Sequence, residues 1–301
     1  MRENIVKVID LVPGKVAPLT TVDASVLTQE MFQRQFLNKH LPVLIKGAAR
    51  HWRAMERWDE PGYLESRCAD VEVKMARRFN AATAEHYILD KMKLRDCFAQ
   101  LRASPDDTTY SIPATAVPEQ WMQDLGDYSF LGTLDRMPRT YPRDRIFIYK
   151  NASTEWHYHP FDETITTQLG GSKRFSLFRL TADNWLPNSE LIESSAHHRP
   201  DGAHAFPADR PLTKYEGVLE AGDSVYIPPF WWHGVDTADT RIGYTLAHCF
   251  RTPMSRLAAW EDPITQRVFR RIKAKNKLAV PVALGIIGYS TLRRMMSGEK
   301  W

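Results

Sequence analysis

The stretch from Arg145 to Phe250 is a succession of short apolar runs broken by Gly, Pro and Asp. RIFIYK is followed by ETITTQL, a Gly170-Gly171-Ser172 turn and KRFSLF, and further on come GDSVYIP and RIGYTLAHCF. Side chains alternate across a strand with a period of two, so runs of this length bounded by turn residues are strands. Several in succession close into a sandwich or barrel. A chain with this pattern at its centre is mainly β.

The flanks carry a different period. From Val26 to Leu37, Leu27, Met31, Phe32 and Phe36 fall near helical spacing, and Pro42 to Ile45 (PVLI) reads as a short buried strand. Trp52, Trp58, Tyr63 and Leu64 are expected to pack beside them. Further helices are expected from Lys91 to Leu101 and from Glu119 to Leu125, the second opened by Pro118. After Phe250 the helical pattern returns, with Pro263 breaking it into two pieces. The expected organisation is therefore residues 1–140 as helical and strand elements packed on a barrel, 141–252 as the barrel core, and 253–301 as a C-terminal helical segment. Thr181 to Leu212, rich in Pro, Asp, Asn and His, is too long for a hairpin loop. It reads as a functional insertion over the barrel mouth, with Trp185, His197, His198, Arg199 and Arg210 bordering the pocket.

Composition narrows the function. The 301 residues hold 40 Lys+Arg against 36 Asp+Glu, a surplus of +4, so a general phosphate-binding footprint is not indicated and nucleic acid is not the expected partner. Cys68, Cys97 and Cys249 are far apart and odd in number, which fits a reducing cytoplasm. The first nine residues contain Arg2, Glu3 and Lys7 and no apolar stretch long enough for a signal sequence. Leu278 to Leu292 is uncharged and flanked by basic residues. As a helix it would span roughly 22 Å, short of a hydrocarbon core of roughly 30 Å. A buried or dimer-forming helix is the favoured reading, and a membrane-surface anchor the alternative.

The chemistry gathers around histidine. In Trp156-His157-Tyr158-His159 the two imidazoles of an extended segment project to one face. A third arrives 74 positions after His159, as His233 in GDSVYIPPFWWHGV, where Pro228 and Pro229 fix a turn. Three such imidazoles can form a facial set with open positions, as in non-haem iron sites, although imidazole also suits zinc, copper and nickel. His40, His51, His86, His197, His198 and His204 lack a partner at ligand-like spacing and read as surface or packing residues.

These segments resemble the cupin superfamily and, within it, the JmjC-like cupin-like-domain oxygenases that use Fe(II) and 2-oxoglutarate. The likeness runs from about Leu27 to Phe250. It rests on LTQEMFQRQFLNKHLPVLIKGAARHW, on HYHPFDETITTQLGGSKRF and on GDSVYIPPFWWHGV, in that order. The resemblance implies a double-stranded β-helix, a cupin or jelly-roll barrel, in which His157 is the first metal ligand and His233 the distal one. It also implies that Lys173 pairs with the far carboxylate of 2-oxoglutarate, that Thr154 hydrogen-bonds the same group, and that Tyr149 is a third contact. A Lys ammonium with a hydroxyl suits a carboxylate in a partly desolvated pocket. Without the resemblance, Lys173 would read as a solvated residue after a hairpin turn.

Two departures from the oxygenase pattern lie in the segment from His157 to Gln168. The second ligand, ordinarily Asp or Glu, is His159, which removes one negative charge and shifts metal preference and redox potential. The spacing from His159 to Gln168 is one residue longer than in the family. HYHPFDE is also similar to the general cupin pattern of three His and one Glu, which makes Glu163 a fourth ligand, a group orienting His159, or an ordinary strand residue. Asp162 is a weaker candidate for that role. His248 stands where the oxygenases carry Asn near the cosubstrate, and a packing role is open to it as well.

Three functions follow. The first is an Fe(II)- and 2-oxoglutarate-dependent oxygenase hydroxylating a protein, peptide or small molecule. The second is a cupin metalloenzyme with a three-His site, with or without Glu163, that needs no oxo-acid. The third is a non-catalytic binding scaffold, against which the full histidine set argues, because converging imidazoles must be desolvated.

Overall fold

The alternating runs fold into two facing sheets. In a computed structural model, which describes residues 7–68, 70–77, 88–134, 142–159, 162–179 and 212–252, the early strands are β1 (Lys15–Pro18), β2 (Thr21–Asp23), β3 (Val43–Lys46), β4 (Glu72–Arg77), β5 (Ile88–Lys93) and β6 (Tyr110–Ala116). The central segment supplies β7 (Asp144–Lys150), β8 (Thr154–His157), β9 (Glu163–Gly170) and β10 (Lys173–Arg179). After the insertion come β11 (Thr213–Leu219), β12 (Ser224–Ile227), β13 (Trp231–Thr237) and β14 (Gly243–Phe250). The smaller sheet has the order β1-β11-β10-β13-β8, and the larger β2-β3-β12-β9-β14-β7-β6-β4-β5. This is the jelly-roll barrel expected from the sequence, with strands from before residue 140 hydrogen-bonded into its larger sheet.

Period-two alternation gives the larger sheet two buried faces. Toward the smaller sheet, Leu44, Val225 and Ile227 meet Phe175, Leu177, Leu219 and Val235 in one apolar cluster. On the other face, Ile146, Ile148, Ile165, Leu169, Tyr226, Leu246 and Phe250 pack under Phe32, Trp58, Phe98, Trp121 and Phe130 of the N-terminal half. Burying each such side chain contributes about 1.5–3 kcal/mol. A sheet covered on both faces shows no polar outer row, and every residue of β9 and β14 is buried.

The covering helices are short: α1 (Gln29–Gln35), α2 (Arg53–Arg57), α3 (Tyr63–Ser66), α4 (Leu94–Ala103) and α5 (Glu119–Met122). Helix α1 starts later than the expected Val26 because Thr28 caps it, its side chain accepting from Met31 N at 3.2 Å. Its Phe32 packs edge-on to Tyr226 of β12, with ring centroids 5.0 Å apart. The helix expected from Lys91 starts at Leu94 instead, because residues through Lys93 belong to β5, in register with β4 from Glu72↔Lys93 to Arg77↔Ile88. Here pairing overrides local helical preference. Pro118 caps α5 as expected, but the helix ends at Met122 rather than Leu125.

The N-terminal turn Val8–Leu11 is pinned to the outside of the smaller sheet. The buried Asp236 carboxylate accepts from Val8 N and Ile9 N at 3.0 Å each and from Ser153 Oγ at 2.6 Å. Trp156 Nε1 donates to Val8 O at 2.7 Å, and Lys214 Nζ to Ile9 O at 2.9 Å. The three cysteines are buried free thiols.

Residues 180–211, His86 and the segment 253–301 expected to be helical, including the Leu278 to Leu292 run with its dimer and membrane-surface readings, lie outside the described residues. Among the described residues no helix is long and apolar enough to cross a membrane.

Candidate metal centre

Strand β8 ends at His157, in register with His233 on β13. The pairing shifts between His233 and Val235, and an irregularity of this kind re-aims neighbouring side chains. His159 lies just beyond β8, and its carbonyl accepts from Phe230 N at 3.0 Å, so the turn after Pro228-Pro229 holds the second histidine while it launches the strand of the third. Phe230 adopts φ 63° in this turn. Tyr158 projects the other way, stacking on Phe230 and contacting Trp232.

His157, His159 and His233 converge so that one ligand atom from each lies within 4.8 Å of the others. Their ring centroids are 4.0, 4.9 and 5.1 Å apart. Each Nδ1 is engaged from behind. His157 Nδ1 donates to Glu155 O at 2.8 Å and His233 Nδ1 to Trp231 O at 3.0 Å, while His159 Nδ1 lies 2.8 Å from Thr164 Oγ1. A carbonyl can only accept, so Nδ1 carries the proton in His157 and His233, and the lone pair stands on Nε2. Burial, followed by the neighbouring imidazole of His157, holds His159 and His233 well below the ordinary histidine pKa. Arg145 adds to that effect at His159. These rings are neutral at physiological pH, the state a metal requires. The donor set fits a divalent transition metal.

Lys173 opens β10, just after the turn at Gly171, and is buried. Its Nζ sits 3.7 Å over the Tyr149 ring and 6.0 Å from that of Phe147. It makes no ion pair among the described residues, and burial alone pushes its pKa down to about 7. A buried ammonium in this state is stabilised by an anion placed against it. Tyr149 is in turn bound by Gln168 Nε2, and Gln168 Oε1 accepts from Thr245 Oγ1 at 2.9 Å. Thr154 begins β8, half-buried, opposite Val235 and on the far side of β13 from Lys173. Lys173 and Tyr149 are thus adjacent, and no hydrogen bond among the described residues joins Thr154 to them.

Alternation along β9 decides the place of Glu163. Thr164 reaches His159, so Thr164, Thr166 and Gln168 share the inward face, and Glu163, Ile165 and Thr167 the outward one. Glu163 Oε2 accepts from Tyr226 OH at 2.6 Å and Oε1 from Thr252 Oγ1 at 3.0 Å, behind the sheet. The structure does not gather Glu163 with the histidines as a fourth ligand; the hydroxyl behind His159 is that of Thr164. Asp162 pairs with Arg251 Nε at 2.7 Å. His248 also faces outward, on the side of Leu246 and Phe250, and so does not share the face that carries Tyr149 and Lys173. Its Nδ1 lies 2.7 Å from Asp144 Oδ1, and with Tyr128 and Trp52 it lines a cavity of about 470 Å³. Burial raises the Asp144 pKa, but His248 and then Arg143 outweigh it and hold the carboxyl low.

Sequence reasoning missed Thr164, Gln168, Thr245 and Arg145. The alternation of ETITTQLG carried the signal for the first two, once the face of one residue was known.

A jelly-roll barrel enclosing three converging imidazoles, a group that could hold a metal ion, has the architecture of a cupin. The chain belongs to the cupin-like domain family, whose model matches residues 28–251. It is 27% identical over 221 residues to Jumonji C domain-containing protein 5 of Drosophila melanogaster, covering 68% of this chain and 54% of that protein. It is 25% identical over 219 residues to lysine-specific demethylase JMJ30 of Arabidopsis thaliana, covering 69% of this chain and 50% of the relative. The chain thus spans about half the length of these curated relatives, and its family is of the JmjC type.

Proposed function

We propose that this chain is an Fe(II)- and 2-oxoglutarate-dependent oxygenase that hydroxylates a protein or peptide, with His159 in place of the usual carboxylate ligand. The carrying observation is Lys173, an ammonium buried without an ion-pair partner among the described residues, in the barrel that also holds the three histidines. A protein substrate is supported by the demethylase name of the Arabidopsis relative. His157, His159 and His233 hold the iron, Lys173 takes the far carboxylate of the oxo-acid, and Thr154 and Tyr149 line its path. Iron bound there supplies the chemistry in which 2-oxoglutarate loses CO2 to give succinate, one atom of dioxygen entering succinate and the other a substrate C–H bond. The protein positions the oxo-acid and excludes water, the role of the apolar wall of Phe175, Leu177 and Val235.

The test is to titrate 2-oxoglutarate into iron-loaded protein under anaerobic conditions and watch for the visible charge-transfer band of a chelated oxo-acid. A band in the wild type that is lost in Lys173→Ala is the expected result. Tight iron binding without the band would instead favour a three-His cupin enzyme that needs no oxo-acid, a reading that His159 itself recommends. Absence of any retained metal would leave the binding scaffold.

A further inference from the structure

The two strands that carry the histidines are unequally held. β13 is fixed on one side by β10, in unbroken register from Lys173↔Thr237 to Arg179↔Trp231. On its other side lies β8, the last strand of the smaller sheet among the described residues and only four residues long. It is in register with β13 at His233↔His157 and Val235↔Thr154, with a shift between them. A short edge strand on an interrupted ladder is a weakly held part of a sheet. Yet this strand carries His157 and leads into His159.

A second link crosses the same pair of strands on the outer face. With His157 and His233 turned inward, alternation turns Trp156 of β8 and Gly234 and Asp236 of β13 outward. The Trp156 indole lies across Gly234, where an added Cβ would stand 2.8 Å from Trp156 Cε2. Its Nε1 donates to Val8 O at 2.7 Å. The same turn, Val8–Leu11, offers Val8 N and Ile9 N to the Asp236 carboxylate at 3.0 Å each, and Ser153, the residue before β8, donates to Asp236 Oδ1 at 2.6 Å. The first N–H groups of a helical turn find no partner within it, so a carboxylate from another element suits them. Lys214 Nζ of β11 adds a bond to Ile9 O at 2.9 Å. Val8, Ile9, Trp156 and Asp236 are each no more than 2% exposed, which shuts water out of these bonds. β8 is thereby tied to β13 through Ser153 and Trp156, and the second of these is the neighbour of His157 in the chain.

We propose that the turn Val8–Leu11, together with Trp156 and Asp236, is a clasp that sets the spacing of His157 against His233 and so governs the affinity and geometry of metal binding. Trp156 and Asp236 act as positioning residues: they hold the backbone that presents the imidazoles, from the face opposite to them. The inference rests on the three histidines holding a divalent metal and does not depend on the use of 2-oxoglutarate.

The experiment compares the full-length wild type with Trp156→Phe and Asp236→Asn. Trp58→Phe is the matched control, since it also removes a buried indole donor, the one bound to Asp124 Oδ2 at 3.2 Å on the far face of the larger sheet. Zn(II) affinity is read by competition with a chromophoric chelator, coordination geometry from the visible spectrum of the Co(II)-loaded protein, and folding from thermal midpoints. Both clasp variants are expected to bind Zn(II) at least about tenfold more weakly, the lower end of the loss that follows removal of support behind a metal-binding histidine. Their Co(II) bands should also change in position or intensity. Trp58→Phe should lower the midpoint and leave both metal readouts at the wild-type values. Wild-type affinity and spectrum in the clasp variants, or an equal loss in Trp58→Phe, would overturn the proposal. If one clasp variant fails to fold the other decides, and if both fail Ser153→Ala, which removes a single hydroxyl, decides by the same readouts. A wild type that binds neither ion counts against the metal-site reading itself and removes this inference with it, whereas metal binding indifferent to the clasp removes the inference alone.

Discussion

His233 and His157 are register partners on adjacent antiparallel strands, with ring centroids 4.0 Å apart. Strand pairing thus closes a site that the chain otherwise divides between two distant segments. The backbone carbonyls of Trp231 and Glu155 hold the two rings in the same tautomer, each from two residues upstream of its histidine. The third ring, His159, relies instead on a side chain, and that dependence is open to mutation.

Thr164→Val removes only the hydroxyl 2.8 Å from His159 Nδ1 and keeps the shape of the side chain. Loss of an orienting partner behind a metal-binding histidine typically weakens affinity about 10- to 100-fold. Competition for Zn(II) against a chromophoric chelator should show a loss in that range. An unchanged affinity would mean that the hydroxyl does not orient the ring.

The pH dependence of 2-oxoglutarate binding follows from Lys173, which burial pushes down to about 7. Above that pH the free site must take up a proton to pair with the carboxylate, so the dissociation constant should rise about tenfold per pH unit until the pKa of the bound lysine is reached. Below it the constant should be flat. Lys173→Met should bind weakly and without the slope, measured calorimetrically on Zn(II)-loaded protein. For ligand-free protein the sign is that of a depressed lysine: below about 7 both states are protonated and the folded one carries the whole burial cost, and stability rises with pH between that point and the ordinary lysine value.

Glu163→Ala should act on the fold rather than on the metal. It strips the acceptor from Tyr226 OH and Thr252 Oγ1, both buried. Buried hydrogen bonds to a carboxyl group and the donors left behind are together worth about 2–4 kcal/mol. The thermal midpoint should fall by roughly 5–10 °C, with metal stoichiometry kept at the wild-type value. Loss of metal at an unchanged midpoint would make Glu163 a ligand after all.

Asp236→Ala should free the N-terminal turn. Its carboxylate holds Val8 N, Ile9 N and Ser153 Oγ on the outer face of the strand that bears His233. The expected cost is about 2–4 kcal/mol, with hydrogen exchange at the Val8 and Ile9 amides accelerating well before that of β13. Uniform acceleration would show that the turn and the sheet open as one unit.

The amino-acid pattern alone was enough for a mainly β sandwich or barrel, because the short runs between Arg145 and Phe250 alternate with the period of strands, and the resemblance to the cupins narrowed this to the jelly roll. The pattern was also enough to single out His157, His159 and His233, since two imidazoles two positions apart on extended backbone must share a face. The directions of Glu163, Thr164 and His248 needed the folded chain. Alternation states that neighbours point oppositely but not which of them points in, and a shift of one residue exchanges the faces of a whole strand. That choice was made by the pairing of β9 with β12 and β14, which sends Thr164 to His159 and Glu163 to Tyr226. The larger sheet hid the answer further by being buried on both sides, so that polarity did not mark an outer face. Likewise, Lys91 to Lys93, expected to open a helix, were drawn into β5 by pairing with β4. Arg145 joined the site only when strand order brought β7 alongside β14, because a cation's partners are set by distance in space rather than along the chain.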